Sequence, residues 1–209
     1  MSEKHAPHLL FGGAFNPPTR AHIELAHLAL QATGRQSVVF MPSQSRYITD
    51  AQKKDFAFSG SARLSMLRAI ARDRRWMRVS AYELDAPTQP RTYESLCHLR
   101  AQGLHAALLM GSDKMPELAT LWRHVPQIAE QFGIVVLERG EDDVREMIAA
   151  DPFLLPLASW IEVLPAPGEY RSMSSSLVRQ ALDQGDREAM EALLPEEIWH
   201  LATQIKKES

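Results

Sequence analysis

Cysteine is nearly absent: Cys97 is the one copy in 209 residues. A disulfide framework needs pairs and a cysteine zinc cluster needs several thiolates, so both are excluded, and a reducing cytoplasm is the expected location. Long apolar runs are missing too, since Ala106 to Met110 and Ile134 to Leu137 fall far short of the roughly 20 residues that cross a bilayer. Met1 to His8 is polar and leads straight into a glycine turn rather than a signal-peptide core, so no membrane partner is expected. There is no internal repeat and no low-complexity tract. Neither common nucleotide-loop signature occurs, as the Walker lysine pattern and G-x-G-x-x-G are both lacking. The histidines other than His22 show no metal-ligand spacing, and no dense cage of carboxylates appears, so no protein-held metal site is expected.

What is there is an ordinary globular composition, 45% apolar and 23% charged. The length suits one domain over residues 1–209, with a C-terminal helical part from about residue 174 packed on it. The formal net charge of -3 hides a split: residues 1–111 carry 14 Lys/Arg against 8 Asp/Glu, and residues 112–209 carry 9 against 18. A basic N-terminal half suits an anionic small molecule but is too mild for a nucleic-acid footprint, so no nucleic-acid partner is expected. A solvated positive surface fits that charge equally well.

Along the chain, apolar runs alternate with helix-period stretches. His8 to Phe11 reads as a first strand stopped by Gly12-Gly13, and the stretch begun near Thr19 and ended at Gly34 reads as a helix. Ser37 to Met41 is a second strand, Trp76 to Leu84 a third, and His105 to Met110 the clearest buried one; Gly133 to Leu137 and Trp160 to Leu164 follow. Helices are expected near Ser61 to Arg72, from a Thr92 cap to Gly103, at Met115 to Leu121, Val125 to Gln131, Asp142 to Ala150, from Ser174 onward, and at Pro195 to Ile205. Strands separated by helices of this length predict an α/β fold with a mainly parallel sheet and helices on both faces. Ligands of such sheets bind beyond the carboxyl ends of the strands, which directs attention to the polar residues that follow strands, around Gly12, Arg46, Asp113 and Arg139.

Gly12-Gly13-Ala14-Phe15-Asn16-Pro17-Pro18-Thr19-Arg20-Ala21-His22 packs two glycines and two prolines ahead of a helix. Glycines let backbone N–H groups approach an anion, and a helix start adds unpaired N–H donors and the positive end of a dipole, so phosphate is the natural guest. Thr19 and His22 are three apart and share a face if both lie in the first turn. A histidine there could donate to a phosphate oxygen as charge develops on it. Read without a ligand, Thr19 is a helix cap and His22 a satisfied, half-buried histidine. The long polar stretch Ser43 to Ser59 carries Arg46, Lys53 and Lys54, donors suited to a substrate phosphate or simply to water.

The same segment resembles the T/H-x-G-H phosphate-binding signature of the nucleotidyltransferase superfamily, and Ser174-Ser175-Ser176-Leu177-Val178-Arg179 resembles its second signature, I-S-S-T-x-x-R. Between them, Gly111-Ser112-Asp113 with Leu121-Trp122 is similar to the G-x-D and tryptophan segment of nicotinate or nicotinamide mononucleotide adenylyltransferases. Thr92-Tyr93-Glu94-Ser95-Leu96, Arg63-Leu-Ser-Met66 and the strand ending at Arg139 resemble further segments of that family. Ala21 stands at the motif glycine, where ordinary helix accepts alanine. Ser176 replaces a threonine, and the Arg46 to Lys54 loop lacks the usual bacterial wording.

The resemblance implies a Rossmann-like nucleotidyltransferase fold and transfer of AMP from ATP to a pyridine mononucleotide, with a related phosphorylated acceptor such as phosphopantetheine, or a non-catalytic nucleotide binder, as alternatives. It assigns His22, Thr19 and Arg179 to catalysis. Gly12, Gly13, Phe15, Asn16, Gly111, Asp113, Ser175 and Ser176 fall to the ATP side; Arg46, Lys53, Lys54, Thr92, Trp122 and Arg139 fall to the acceptor. Mg²⁺ is expected to arrive on the ATP phosphates. Asp113 would orient it or hold a ribose, or is a plain turn residue; Trp122 would stack on a pyridine or pack in the core. The sequence leaves a homo-oligomer open.

Overall fold

The structure is a computed structural model that describes residues 6–45, 58–138, 142–170 and 173–208, with side chains through residue 204. Arg46, Lys53, Lys54 and Arg139 lie outside the described residues. Six strands form one parallel sheet: β1 (His8–Gly13), β2 (Ser37–Pro42), β3 (Met77–Val79), β4 (Ala106–Gly111), β5 (Ile134–Glu138) and β6 (Ile161–Pro165). Their order is β3-β2-β1-β4-β5-β6. That is the doubly wound arrangement whose order reverses beside β1. Every residue of β2 is buried, as are the first five of β4 and the first four of β5. Strands covered on both faces read as unbroken apolar runs, which is why these segments stand out in the sequence.

The helices are α1 (Arg20–Thr33), α2 (Gly60–Ala71), α3 (Tyr82–Asp85), α4 (Thr92–Ala101), α5 (Met115–Thr120), α6 (Val125–Phe132), α7 (Val144–Ala150), α8 (Ser175–Gln184), α9 (Arg187–Leu193) and α10 (Trp199–Glu208). Among the described residues no helix is long and apolar enough to cross a membrane.

The chain divides into two compact units. The first draws on Met1–Phe11, Leu25–Val38 and Pro90–Arg171, and the second on Gly12–Glu24, Val39–Gln89 and Ser172–Ser209. In the first, β1 pairs with β4 (Leu10 opposite Leu108), β4 with β5 (Leu109 opposite Val135), and β5 with β6. Arg35, nearly buried, ties this unit's ends together through the Ala6 carbonyl at 3.1 Å and Glu162 at 3.1 Å. In the second, α2 packs on β3, on the 196–198 turn and on α10.

The sequence expectation fails at three places, each for a local reason. Strand β3 stops at Val79, because the Ser80 hydroxyl accepts from the Tyr82 N–H at 3.3 Å and turns the chain into α3. Thr92 is the first residue of α4 and not its cap; Arg91 is the cap, and its N–H donates to the Glu94 carboxylate at 2.6 Å. The short α9, capped by Asp186 accepting from the Ala189 N–H at 3.0 Å, falls in a segment where no helix is expected from the periodicity.

Leu109, 1% exposed in central strand β4, tests the core directly. Leu109→Ala is expected to cost about 2–5 kcal/mol, seen as a lower urea midpoint with an unchanged slope by circular dichroism.

Candidate active site

The second unit holds the glycine loop that leaves β1. Among the described residues no heavy atom beyond the glycine's chain neighbours lies within 4 Å of where a Cβ on Gly12 would sit, and Gly12 is exposed. Neither packing nor a positive φ requires glycine there, so the open space suits a close-approaching ligand. Phe15 adopts φ +44, a conformation L-residues avoid, at a cost of order 1–3 kcal/mol. Burial of its ring holds it there: the ring is 2% exposed, packs at 5.5 Å from Phe40, and meets the His22 ring edge-on at 5.1 Å.

Thr19 is fully buried at the entry to α1. Its N–H donates to His22 Nδ1 at 3.0 Å, its hydroxyl lies 2.7 Å from the same nitrogen, and that hydroxyl oxygen accepts from the His22 N–H at 3.3 Å. Because a backbone N–H can only donate, Nδ1 is an acceptor. The neutral ring therefore carries its proton on Nε2. Thr19 thus acts both as a cap and as the residue that sets the histidine's tautomer.

Asn16 is also fully buried, and its Oδ1 accepts from the Phe58 N–H at 2.8 Å. The side chains of Phe15 and Asn16 belong to the loop's own support. The second motif closes on the same loop. The Ser175 hydroxyl donates to the Pro17 carbonyl at 2.9 Å, and the Arg179 guanidinium donates to the Asn16 carbonyl at 2.8 Å and to Ser176 Oγ at 3.0 Å. Ser174 caps α8, its hydroxyl accepting from the Leu177 N–H at 3.3 Å. Two helix starts, α1 and α8, are thereby joined through one loop. Each presents first-turn N–H groups that have no partner within the helix.

Arg63 is the residue whose role the sequence did not reveal. Its side chain is completely buried. Nε donates to the Phe58 carbonyl at 3.1 Å; the two terminal nitrogens donate to the carbonyls of Ala14 and Ser43, both at 2.7 Å, and to Ser45 Oγ at 3.1 Å. Burial lowers its pKa to about 10, which still leaves it charged at neutral pH. No signal beyond the R-x-x-M resemblance points to it, because its partners are mainly backbone carbonyls far away in the chain.

The first unit holds the other residues singled out by sequence. Gly111 ends β4, and Ser112 is buried with its hydroxyl donating to the Asp142 carboxylate at 2.8 Å. Asp113 is exposed on the 112–114 turn, Thr92 is half-buried at the start of α4, and Trp122 is half-buried after α5, beside a Leu121 that is 70% exposed. Asp142, which braces the Gly-Ser-Asp turn, carries no local sequence signal for that role, because its partner is 30 residues away.

A model of the cytidylyltransferase-like family matches residues 10–181, a span that includes the glycine loop, the Ser112–Asp142 turn and the start of α8. The chain belongs to the cytidylyltransferase-like family. Within it, the chain is similar to a probable nicotinate-nucleotide adenylyltransferase/Ap4A hydrolase of Mycoplasma pneumoniae, 33% identical over 142 residues; the match covers 67% of this chain but only 40% of that protein. It is 26% identical over 193 residues to the nicotinamide/nicotinic acid mononucleotide adenylyltransferase of Arabidopsis thaliana, covering 85% of this chain and 80% of that one. In fold it resembles the Plasmodium falciparum nicotinic acid mononucleotide adenylyltransferase solved with NaAD, with a TM-score of 0.70, 16% identity and 94% of each chain covered. The Rossmann-like sheet and the family expected from the motifs are thus borne out.

The tautomer can be measured. ¹⁵N NMR of labelled protein above the His22 titration is expected to show Nε2 protonated and Nδ1 bare; Thr19→Val, which removes the hydroxyl, should weaken that preference, and a protonated Nδ1 in the wild type would contradict the assignment.

Proposed function

We propose that this chain is a nicotinate-nucleotide adenylyltransferase of NAD biosynthesis, which moves AMP from ATP to the phosphate of nicotinate or nicotinamide mononucleotide. The observation that carries the reading is the glycine loop clamped between the starts of α1 and α8 by Ser175 and Arg179, with the His22 proton on Nε2. The names of the Mycoplasma and Arabidopsis relatives supply the acceptor class.

In the proposed step, an oxygen of the mononucleotide phosphate attacks the α-phosphorus of ATP. A new P–O bond forms there, the bond to the bridging oxygen breaks, and pyrophosphate leaves with the electron pair. The attacking phosphate is already anionic, so no general base has to remove a proton. What remains is alignment and stabilisation of the charge that gathers on the α-phosphate oxygens. His22 Nε2–H is the donor for one of these oxygens, held at a fixed angle by Thr19 and by the edge of Phe15. The first-turn N–H groups of α1 and α8 draw the triphosphate in, and the loop they flank has no Cβ at Gly12 to keep it out. Arg179, half-buried, adds its positive charge beside these donors while its hydrogen bonds hold the loop.

The donor set suits Mg²⁺ that travels with ATP. Among the described residues no three His, Cys, Asp or Glu side chains converge to cage an ion, and the motif resemblance gives Asp113 the role of orienting one through water. Such an ion supplies further charge neutralisation at the triphosphate. The motif resemblance assigns Thr92 and Trp122 to the pyridine ring and Arg46, Lys53, Lys54 and Arg139 to its phosphate. The single cysteine supports a cytoplasmic setting.

Product analysis with ATP, Mg²⁺ and nicotinate mononucleotide, nicotinamide mononucleotide or 4′-phosphopantetheine tests the reading. Dinucleotide and pyrophosphate are expected with a pyridine mononucleotide, and the two kcat/KM values rank acid against amide. Turnover with phosphopantetheine alone would transfer the assignment to another acceptor class. His22→Ala is expected to lower kcat by about 10²–10³-fold with ATP affinity largely kept, because the lost hydrogen bond strengthens in the transition state.

A further inference from the structure

Tyr93 and His124 are joined by a contact that the motifs do not announce. Tyr93 follows Thr92 in the first turn of α4, and its ring lies 5.2 Å from the His124 ring with the two planes 31° apart. The same tyrosine meets Phe132, the last residue of α6, edge-on at 6.1 Å, and its hydroxyl donates to Gln131 Oε1 at 3.3 Å. One side chain thus reaches both ends of α6. His124 is the residue before α6, and its backbone is left-handed, with φ +63 and ψ +25. Few residues other than glycine adopt that conformation, and here it brings no cap, since the His124 side chain makes no hydrogen bond to the helix start. Its exposed ring is spent on Tyr93 instead. The left-handed residue also makes a corner. Trp122 N–H donates to the Glu117 carbonyl of α5 at 3.2 Å, and the His124 carbonyl accepts from the Ile128 N–H of α6 at 2.8 Å, so Arg123 alone separates the bonding of one helix from that of the next. The backbone angles at His124 therefore set the direction in which Trp122 and α5 stand relative to α6.

Resting on the proposed adenylyl transfer, we infer that Tyr93 and His124 are positioning residues that fix Thr92 and Trp122 relative to one another, and with them the recognition of the acceptor's pyridine ring. Thr92 is one residue from Tyr93 and Trp122 is two from His124, so the stack couples the two segments that the resemblance assigns to that ring. Its contribution is to acceptor affinity more than to nucleotide affinity or to the chemical step. The hydrogen bonds and ring contacts of the two side chains stay within the first compact unit, whereas Thr19, His22, Ser175 and Arg179 belong to the second. Glycine at position 124 accepts the left-handed backbone and removes the ring, so it tests the contact without adding strain. Phenylalanine at position 93 keeps the stack and removes only the hydroxyl.

The test compares wild type with Tyr93→Leu, Tyr93→Phe, His124→Gly and the Tyr93→Leu/His124→Gly double variant. Steady-state kinetics with ATP and nicotinate mononucleotide separate the two KM values from kcat, and ¹⁹F NMR of fluorotryptophan-labelled protein follows Trp122, its resonance assigned with Trp122→Phe. Tyr93→Leu and His124→Gly should each raise KM for nicotinate mononucleotide by about 5–20-fold, with KM for ATP and kcat within about threefold. The double variant should be little worse than the more damaged single one, because both lose the same contact. Tyr93→Phe should stay within about twofold of wild type, and only the leucine and glycine variants should shift the Trp122 resonance. An unchanged acceptor KM would overturn the inference, as would additive effects in the double variant. Loss of kcat and of both affinities in step would make the pair merely structural. If wild type forms no dinucleotide, the functional reading fails by itself. In that case, an unmoved Trp122 resonance in Tyr93→Leu and His124→Gly would still contradict the positioning role, and a shift shared by both but missing from Tyr93→Phe would uphold the coupling of the two segments.

Discussion

A buried positive charge held by backbone carbonyls, with no carboxylate paired to it among the described residues, is the constraint from which the site's geometry follows. Removing a guanidinium from water costs several kcal/mol even after relaxation, and hydrogen bonds to a charged group return about 1.5–3 kcal/mol each. With Phe58, Ala14, Ser43 and Ser45 all in place, Arg63 is satisfied; with any one displaced, a buried donor or carbonyl is left without its partner. The chain at the carboxyl ends of β1 and β2 is therefore held by a penalty for misplacement more than by a large net stabilisation. That kind of restraint specifies geometry, which a phosphate-transfer site needs more than it needs stability.

The polar residues of the two motifs divide their work in a way their chemistry alone does not announce. Asn16, Ser175 and Arg179 carry groups that would bind phosphate well, and each hydrogen bonds to backbone within the loop or before α2. Freed from self-support in this way, the loop and the two helix starts can present backbone N–H groups at fixed positions. His22 follows the same plan, because Thr19 donates to Nδ1 and so puts the ring proton on Nε2. Donors fixed before the substrate arrives do not have to reorganise as charge builds up, and that is the main way a site without a general base can lower a barrier.

Much of this was legible in the sequence, and the residues show why. Strands β2, β4 and β5 are apolar throughout because both faces are covered, and the glycine loop and the serine cap of α8 are local patterns with local causes. The Thr19–His22 pair could be read from a spacing of three on a helix. Arg63 and Asp142 could not be, since their partners are set by the fold and lie up to 49 residues away. Trp76 to Leu84 looked like a strand because its apolar residues alternate, whereas one serine hydroxyl was enough to bend it into α3. The residues expected to select the acceptor phosphate, Arg46, Lys53, Lys54 and Arg139, lie outside the described part of the chain.

The central claim is that the clamped loop between α1 and α8 is a triphosphate site. A crystal structure with α,β-methylene ATP and Mg²⁺ tests it most directly. The triphosphate is expected over Gly12 and Gly13, with His22 Nε2 within hydrogen-bond distance of an α-phosphate oxygen and the β and γ phosphates at the first-turn N–H groups of α8. A nucleotide bound with its phosphates away from both helix starts, or with His22 Nε2 turned from them, would contradict it.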